Sequence, residues 1–168
     1  MEKHFEEVAL FVQKAKNDAL KLVNKALINL YWQVGEYISL KMQKAEWGEG
    51  VVTELADFLA QKHPDLKGFN ARGLWRMKQF FETYNQNEKL SPLVTQIAWT
   101  NNLLIMSKTK SLEEKEFYLK LCLQEKYSKR ELEKQLQSAF YERTILNPAK
   151  ISPVAKEIVT VKVPLQII

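Results

Sequence analysis

The 168-residue chain contains one cysteine, two histidines, five glycines and five prolines. With Cys122 alone an intramolecular disulfide is impossible, and two histidines are too few to complete the usual cysteine- or histidine-based zinc sites. Scarce glycine and proline favour long helices over many short strands. No apolar run approaches the roughly 18 residues of a membrane span, and no secretory leader opens the chain. We therefore expect a cytoplasmic protein with no membrane partner.

The residues needed for catalysis are also scarce. Cys122 lies in a helical apolar stripe and lacks a histidine that would activate its thiol. No glycine-rich phosphate loop is present. Pro64-Asp65 resembles the start of a PD-(D/E)XK nuclease motif, but no strand-borne Glu-x-Lys follows, so we interpret it as turn chemistry. We expect no catalytic residue, no metal, no cofactor and no small-molecule substrate.

Positive charge, by contrast, is present and unevenly distributed. The net charge is +5 and the isoelectric point is near 9.2. Residues 1–60 hold seven Lys+Arg against nine Asp+Glu, residues 61–110 hold eight against three, and residues 111–168 hold ten against eight. The excess of basic residues therefore lies in the middle third of the chain, where the residues could form one positively charged surface that attracts an anionic partner.

Residues 5 to 44 carry apolar side chains at alternating three- and four-residue steps, the period of an amphipathic helix. The pattern fits one very long helix or two helices broken near Asn24 or Gly35. Its heptad-like spacing permits a helical dimer, and packing within the chain is the alternative. We expect a homo-oligomer, a dimer first of all, held in part by residues 5–38. The first stripe consists of Phe5, Val8, Val12, Ala15, Ala19, Leu22 and Ala26.

A helix-turn-helix pattern occupies residues 51–84. A helix over about 51–62 is broken by Pro64, and Asn70 is well placed to cap a second helix that runs to about Tyr84. In helix-turn-helix units the second helix enters the DNA major groove and the first helix supports it. The turn here is longer than the usual three or four residues.

The second helix of this unit has two different sides. Its predicted buried residues are Leu74, Met77, Phe81 and Tyr84. The opposite side presents Arg72, Arg76, Gln79 and Thr83, with Lys78 nearer the buried side. The guanidinium group of arginine can donate two hydrogen bonds at once to a guanine edge or to a phosphate. The alternative is an ordinary solvated helix surface. Trp75 shares this helix, and we expect it in the core rather than stacked on a base.

A second polar cluster is predicted around residues 93–108. Two short helices, 93–98 and 102–108, are expected to meet at a hinge of Trp99, Thr100 and Asn101. The stretch from there through residue 133 resembles, loosely, the helix-turn-helix region of ParB-type partition proteins. Capping boxes at Ser111 and Ser128 predict helices to about residues 125 and 143. The predicted DNA-binding residues of the whole chain are Lys67, Asn70, Arg72, Arg76, Lys78, Gln79, Asn101, Asn102 and Lys108.

The C-terminal segment differs from the rest of the chain. Pro148, Pro153 and Pro164 argue against a long helix, and residues 158–163 alternate as in a strand. We expect an all-α domain of several helices over residues 1–145, followed by an extended tail with a possible short strand over residues 146–168.

Several short motifs, in order over residues 20–145, resemble the YhcG-like family of bacterial proteins. The matching runs are 30–38 (LYWQVGEYI), 46–48 (EWG), 67–81 (KGFNARGLWRMKQFF), 99–104 (WTNNLL), 117–118 (FY), 128–132 (SKREL) and 141–143 (YER). Two departures matter: Ala98-Trp99-Thr100-Asn101 stands where family members commonly have Pro-Trp-x-His, and Asn70 stands where serine is common.

The resemblance implies a helical N-terminal domain that binds DNA and precedes a PD-(D/E)XK nuclease domain. No catalytic residue of that nuclease can be assigned to this chain, which ends near where the nuclease would begin. The function expected from the sequence is therefore docking of a nuclease onto duplex DNA, without catalysis in this chain. A protein-interaction module that dimerises or captures a partner subunit is the alternative.

Overall fold

The computed structural model of the chain describes residues 2–146 and 153–160, and every regular element in these ranges is a helix. The all-α fold class is therefore confirmed. The helices are α1 Glu2–Gln43, α2 Glu49–Lys62, α3 Ala71–Tyr84, α4 Ser91–Val94, α5 Trp99–Lys108, α6 Leu112–Glu125, α7 Lys129–Gln137, α8 Phe140–Leu146 and α9 Pro153–Thr160. None of the described helices is long and apolar enough to cross a membrane.

The chain divides into two compact units, Met1–Phe81 and Glu82–Ile168. The first unit contains α1, α2 and nearly all of α3. Of the two patterns open for its N-terminal segment, one uninterrupted helix, Glu2–Gln43, is the one observed. Gly35 does not break α1. Instead it lets α1 approach α3, because a Cβ at Gly35 would lie 2.0 Å from the carbonyl oxygen of Met77.

Aromatic side chains fill the first unit around this close approach. The Trp32 ring meets the rings of Phe80 and Phe81 edge-on, with centroid distances of 5.7 and 5.2 Å. Tyr31 contacts Phe69 at 5.9 Å, which joins α1 to the segment that precedes α3. The contacts place α3 against the C-terminal half of α1.

The second unit is built around α6, which packs against α4, α5, α8 and α9. Phe117 lies at the centre, with Tyr118, Phe140 and Tyr141 at ring-centroid distances of 5.3, 5.8 and 5.3 Å. The backbone amide of Tyr141 donates to the Tyr118 hydroxyl at 3.2 Å. These contacts attach α8 to α6 and close the core of this unit.

Both serine caps predicted in this unit are present, and one differs in detail. Ser128 and Glu131 form a complete capping box at the start of α7. Ser111 accepts from the Glu114 amide at 3.1 Å, but the Glu114 carboxylate accepts from the Lys110 amide instead of closing the box. α6 ends at Glu125 as predicted.

Three structural predictions for this unit are wrong. The helix expected to run to residue 143 is interrupted after Gln137, where Ala139 adopts a positive φ of 52°, and α8 follows. α5 begins at Trp99, so the turn is at residues 95–98 and not at the predicted hinge of residues 99–101.

The third wrong prediction concerns the C-terminal tail, which is expected from the sequence to be extended with a short strand. Residues 158–160 belong to the helix α9 and not to a strand, while residues 161–163 of the predicted strand lie outside the described residues. Pro153 starts α9, a position that proline suits because its ring presets the helical φ. Ala155 and Ile158 follow three residues apart and are both buried, and α9 packs on α6. Tertiary packing therefore overrides the β-branched pattern.

Candidate nucleic-acid interface

The segment of residues 63–70 joins α2 to α3 in a tightly folded turn. The C-cap of α2 is His63, whose amide donates to the Leu59 carbonyl at 2.8 Å. Gly68 has a φ of +86°, which glycine adopts without strain. A Cβ at Gly73 would lie 1.9 Å from the Gly68 carbonyl oxygen, so the turn lies directly on the first turn of α3.

Asn70 caps α3 as predicted. Its side-chain oxygen accepts a hydrogen bond from the Gly73 amide at 2.8 Å, and its carbonyl accepts from the Leu74 amide at 3.0 Å. A side chain in this position satisfies one of the amides that a helix start leaves without a partner. The Asn70 amide group is therefore engaged in structure, although the residue is exposed.

The buried side of α3 is the predicted one. Leu74, Met77, Phe81 and Tyr84 are all buried, and Phe80 is fully buried as well. Sequence reasoning missed Phe80, although its position three residues after Met77 places it on the same side of a helix. It also missed that Trp32 and Gly35 of α1 support α3, because only the folded chain brings these distant segments together.

The opposite side of α3 carries the predicted arginines. Arg72 and Gln79 are exposed and Arg76 is half-buried. Within the described residues, neither arginine has an ion-pair or hydrogen-bond partner, and the same holds for exposed Lys67. Three cations near the start of one helix are thus left to interact with solvent or with a ligand.

Lys78 and Gln79 are placed differently from the arginines. The Lys78 ammonium lies 5.8 Å from the centroid of the half-buried Trp75 ring, a distance at which a cation is attracted to an aromatic face. Lys78 and Gln79 both have further interactions within the chain. They are therefore less available to a ligand than Arg72 and Arg76.

The whole segment around the turn is basic. Residues 62–79 contain Lys62, Lys67, Arg72, Arg76 and Lys78 against the single acidic residue Asp65, which gives 5 − 1 = +4. The chain as a whole has a net charge of +5. Most of the excess charge is thus carried by the turn and the first part of α3.

The second predicted cluster does not form a polar surface. Asn102 is fully buried, and its side-chain amide donates to the carbonyls of Val94 and Ile97 at 2.9 and 3.0 Å. Asn101 is 5% exposed and donates to the Tyr127 carbonyl at 2.9 Å. Both asparagines hold the backbone of the second unit, so their prediction as DNA-binding residues is wrong. Lys108, at the end of α5, is exposed and remains a candidate.

The described residues contain no group of three or more His, Cys, Asp or Glu side chains that could hold a metal ion. The thiol of Cys122 is buried in α6, and burial raises its pKa to about 12. A thiol with such a pKa is protonated at neutral pH and is a poor nucleophile. Cys122 is therefore a core residue, as its apolar neighbours predicted.

The sequence of the chain matches the model of a known protein family. The model of the DUF1016 N-terminal domain matches residues 7–143, which cover most of the chain, including the turn and both sides of α3. This match confirms the resemblance to the YhcG-like family. No curated protein and no solved structure matches the chain significantly.

Proposed function

Because the chain belongs to the DUF1016 N-terminal domain family, we propose that it binds duplex DNA and directs a PD-(D/E)XK nuclease to it. In this proposal the chain carries no catalytic centre and contacts DNA through α3 and the preceding turn. Arg72 and Arg76 make the leading contacts, and Lys67 and Lys78 add positive charge beside them. The targeted nuclease is the one that the family resemblance implies.

One observation carries the proposal: Arg72, which is exposed, and Arg76, which is half-buried, lack hydrogen-bond and ion-pair partners in the described chain. A cation with an intramolecular partner must give it up to bind a phosphate, whereas these two arginines lose nothing but water. Arginine also offers two parallel donors to a phosphate or a guanine edge. The net charge of +4 over residues 62–79 supplies attraction independent of DNA sequence.

The test is a salt titration of duplex DNA binding with the double variant Arg72→Ala/Arg76→Ala. If both arginines contact phosphates, the slope of log K against log salt concentration falls by about two units, because each phosphate contact contributes about 0.9. If one of them reads a guanine, the loss is roughly 1–3 kcal/mol and is confined to a preferred sequence. Helix content and melting temperature should remain close to those of the parent.

A matched control removes the same charge elsewhere. Arg130 and Lys134 are exposed on α7, so Arg130→Ala/Lys134→Ala also lowers the net charge by two. We expect this control to keep most of the affinity and the slope. Equal losses in both double variants, or none in the α3 variant, would contradict the proposal. Lys108→Ala tests the remaining residue of the second cluster.

The absence of catalysis is tested separately. We expect the chain to cleave neither DNA nor RNA with magnesium or manganese present. Reproducible cleavage that is abolished by replacing one of its own acidic residues would overturn this part of the proposal.

A further inference from the structure

The N-terminal half of α1 is exposed on all sides in the described chain. Every residue from 5 to 23 is exposed, and the first fully buried residue of α1 is Ile28. Large apolar side chains are among the exposed ones, with Phe5 and Leu22 at 67% and 70% exposure. Helices in proteins owe most of their stability to packing of an apolar side, so a segment of this length and composition calls for a partner.

Six of the exposed apolar residues form one continuous line, which we call the α1 seam: Phe5, Val8, Val12, Ala15, Ala19 and Leu22. Their spacing of 3, 4, 3, 4 and 3 residues is the a/d repeat of a coiled coil. Phe11 and Val23 are also exposed and flank this line, whereas exposed Leu10 and Leu20 lie outside it. At 100° per residue, the seam is roughly opposite Ile28 and Gly35, which face the core of the first unit. A partner on the seam therefore does not compete with α3 for the same side of α1.

We propose that the α1 seam binds the same seam of a second copy of this chain, in an antiparallel two-helix coiled coil. Facing residues then have numbers that sum to 27. Val8 meets the partner's Ala19, Val12 meets the partner's Ala15, and Phe5 meets the partner's Leu22. All four central layers join one valine to one alanine, so the spacing between the helices is even along the centre.

A parallel pairing fits the same residues less well. Each layer would then hold two identical residues, with Phe5 and Val8 against themselves and gaps where Ala15 and Ala19 meet their own copies. Even packing without voids is what a stable helix interface requires. The alternation of large and small residues thus favours the antiparallel arrangement.

Charge favours the same orientation. Residues 5–12 carry Glu6 and Glu7 and no Lys or Arg, a net charge of −2, whereas residues 13–25 carry four lysines and Asp18, a net charge of +3. In the antiparallel pair Glu6 lies at the level of the partner's Lys21, so the acidic end of each helix faces the basic part of the other. Parallel helices would bring like charges to the same level.

The length of the exposed segment of α1 also fits an antiparallel pair. The seam contacts of residues 5–22 end six residues before Ile28, and the partner's helix, which begins at Glu2, reaches only the level of residue 25, about 4.5 Å short of the packed part of α1. If α3 binds DNA as proposed, the pair has a consequence for spacing. Gly35 and its counterpart would lie about 43 residues of helix apart along the axis, or about 65 Å. That is close to two turns of DNA, at about 34–36 Å per turn.

The first test measures mass by light scattering on the full chain at micromolar concentration. The parent should be a dimer. Val12→Glu places two unpaired charges in the seam and should raise the dimer dissociation constant by at least about 100-fold. The matched control is Leu10→Glu, since Leu10 is 68% exposed and lies at the outer heptad position. The control should remain dimeric, and circular dichroism should show both variants folded.

The second test fixes the orientation by disulfide cross-linking. Phe5→Cys mixed with Leu22→Cys should give a mixed disulfide under mild oxidation, while neither variant alone should link to itself. Self-linking of Phe5→Cys would overturn the antiparallel pairing. A monomeric parent, a dimer that survives Val12→Glu, or a dimer lost in Leu10→Glu would overturn the proposal. Neither test involves DNA, so failure here is separate from failure of α3 to bind DNA.

Discussion

The contact of α1 with α3 at Gly35 can be tested by adding a single carbon atom. In Gly35→Ala the new Cβ would lie 2.0 Å from the Met77 carbonyl oxygen and 2.6 Å from its carbon. Ordinary van der Waals contact begins only at 3.4 Å, so α1 and α3 must move apart before the methyl group fits. Neither obstructing atom can rotate away, because both belong to the backbone of α3.

The size of the effect follows from two destabilising contributions and one stabilising contribution. Overpacking of a fitted core costs about 1–3 kcal/mol, and a shift of the helices also weakens the edge-on contacts of Trp32 with Phe80 and Phe81, at about 0.5–1.5 kcal/mol for a pair. Alanine in place of glycine within a helix returns about 0.8–1 kcal/mol. We expect a net loss of about 2 kcal/mol, equivalent to about 8–16 °C in melting temperature for a unit of this size.

The assay is chemical and thermal denaturation followed by circular dichroism, with Gly50→Ala as the matched control. Gly50 is also helical, in the first turn of α2, and a Cβ there meets nothing within 4 Å. The control should therefore be as stable as the parent or more stable, by up to about 1 kcal/mol. If Gly35→Ala is as stable as Gly50→Ala, the close approach of α1 and α3 is wrong. The conclusion that α1 holds α3, and with it Arg72 and Arg76, in place would then also be wrong.

Four further predictions concern the second unit. Asn102→Ala should lower the free energy of unfolding by about 1–3 kcal/mol in urea titrations, because two buried carbonyls lose their donor, and it should leave DNA affinity unchanged; lost affinity with unchanged stability would contradict this assignment. Ser128→Ala should cost about 1 kcal/mol through loss of the α7 cap. Hydrogen bonds from the Ser128 amide and hydroxyl lower the pKa of Glu131, so the stability that these bonds add is present above pH 4.5 and is lost as the pH falls through the lowered pKa. Glu131→Gln should therefore reduce the loss of stability at acidic pH, measured by denaturation over a range of pH. An unchanged loss of stability in Glu131→Gln would refute the role of Glu131 in the cap. Cys122 should resist maleimide at pH 8 until the protein is denatured, since burial raises its pKa to about 12; rapid labelling of the folded chain would show that the thiol is accessible.

The sequence by itself determined the local features of this protein. Asn70, Ser111 and Ser128 start helices as predicted, because a cap is a hydrogen bond between residues three apart and needs no distant partner. The buried and exposed sides of α3 follow equally from a period of 3.6 residues, which separates Leu74 from Arg72 wherever the helix packs.

Tertiary structure decided what depends on residues far apart in the chain. The polar side chains of Asn101 and Asn102 would suit a DNA-binding surface or a buried position with hydrogen-bond acceptors. They are buried because the carbonyls of Val94, Ile97 and Tyr127 accept their hydrogen bonds, and only the folded chain brings these carbonyls to them. Ile158 fits a strand or a helix, and packing of α9 on α6 selects the helix. The same reason explains Gly35: a glycine in a helical sequence allows a break or a close neighbour, and the neighbour is visible only once α3 lies against it.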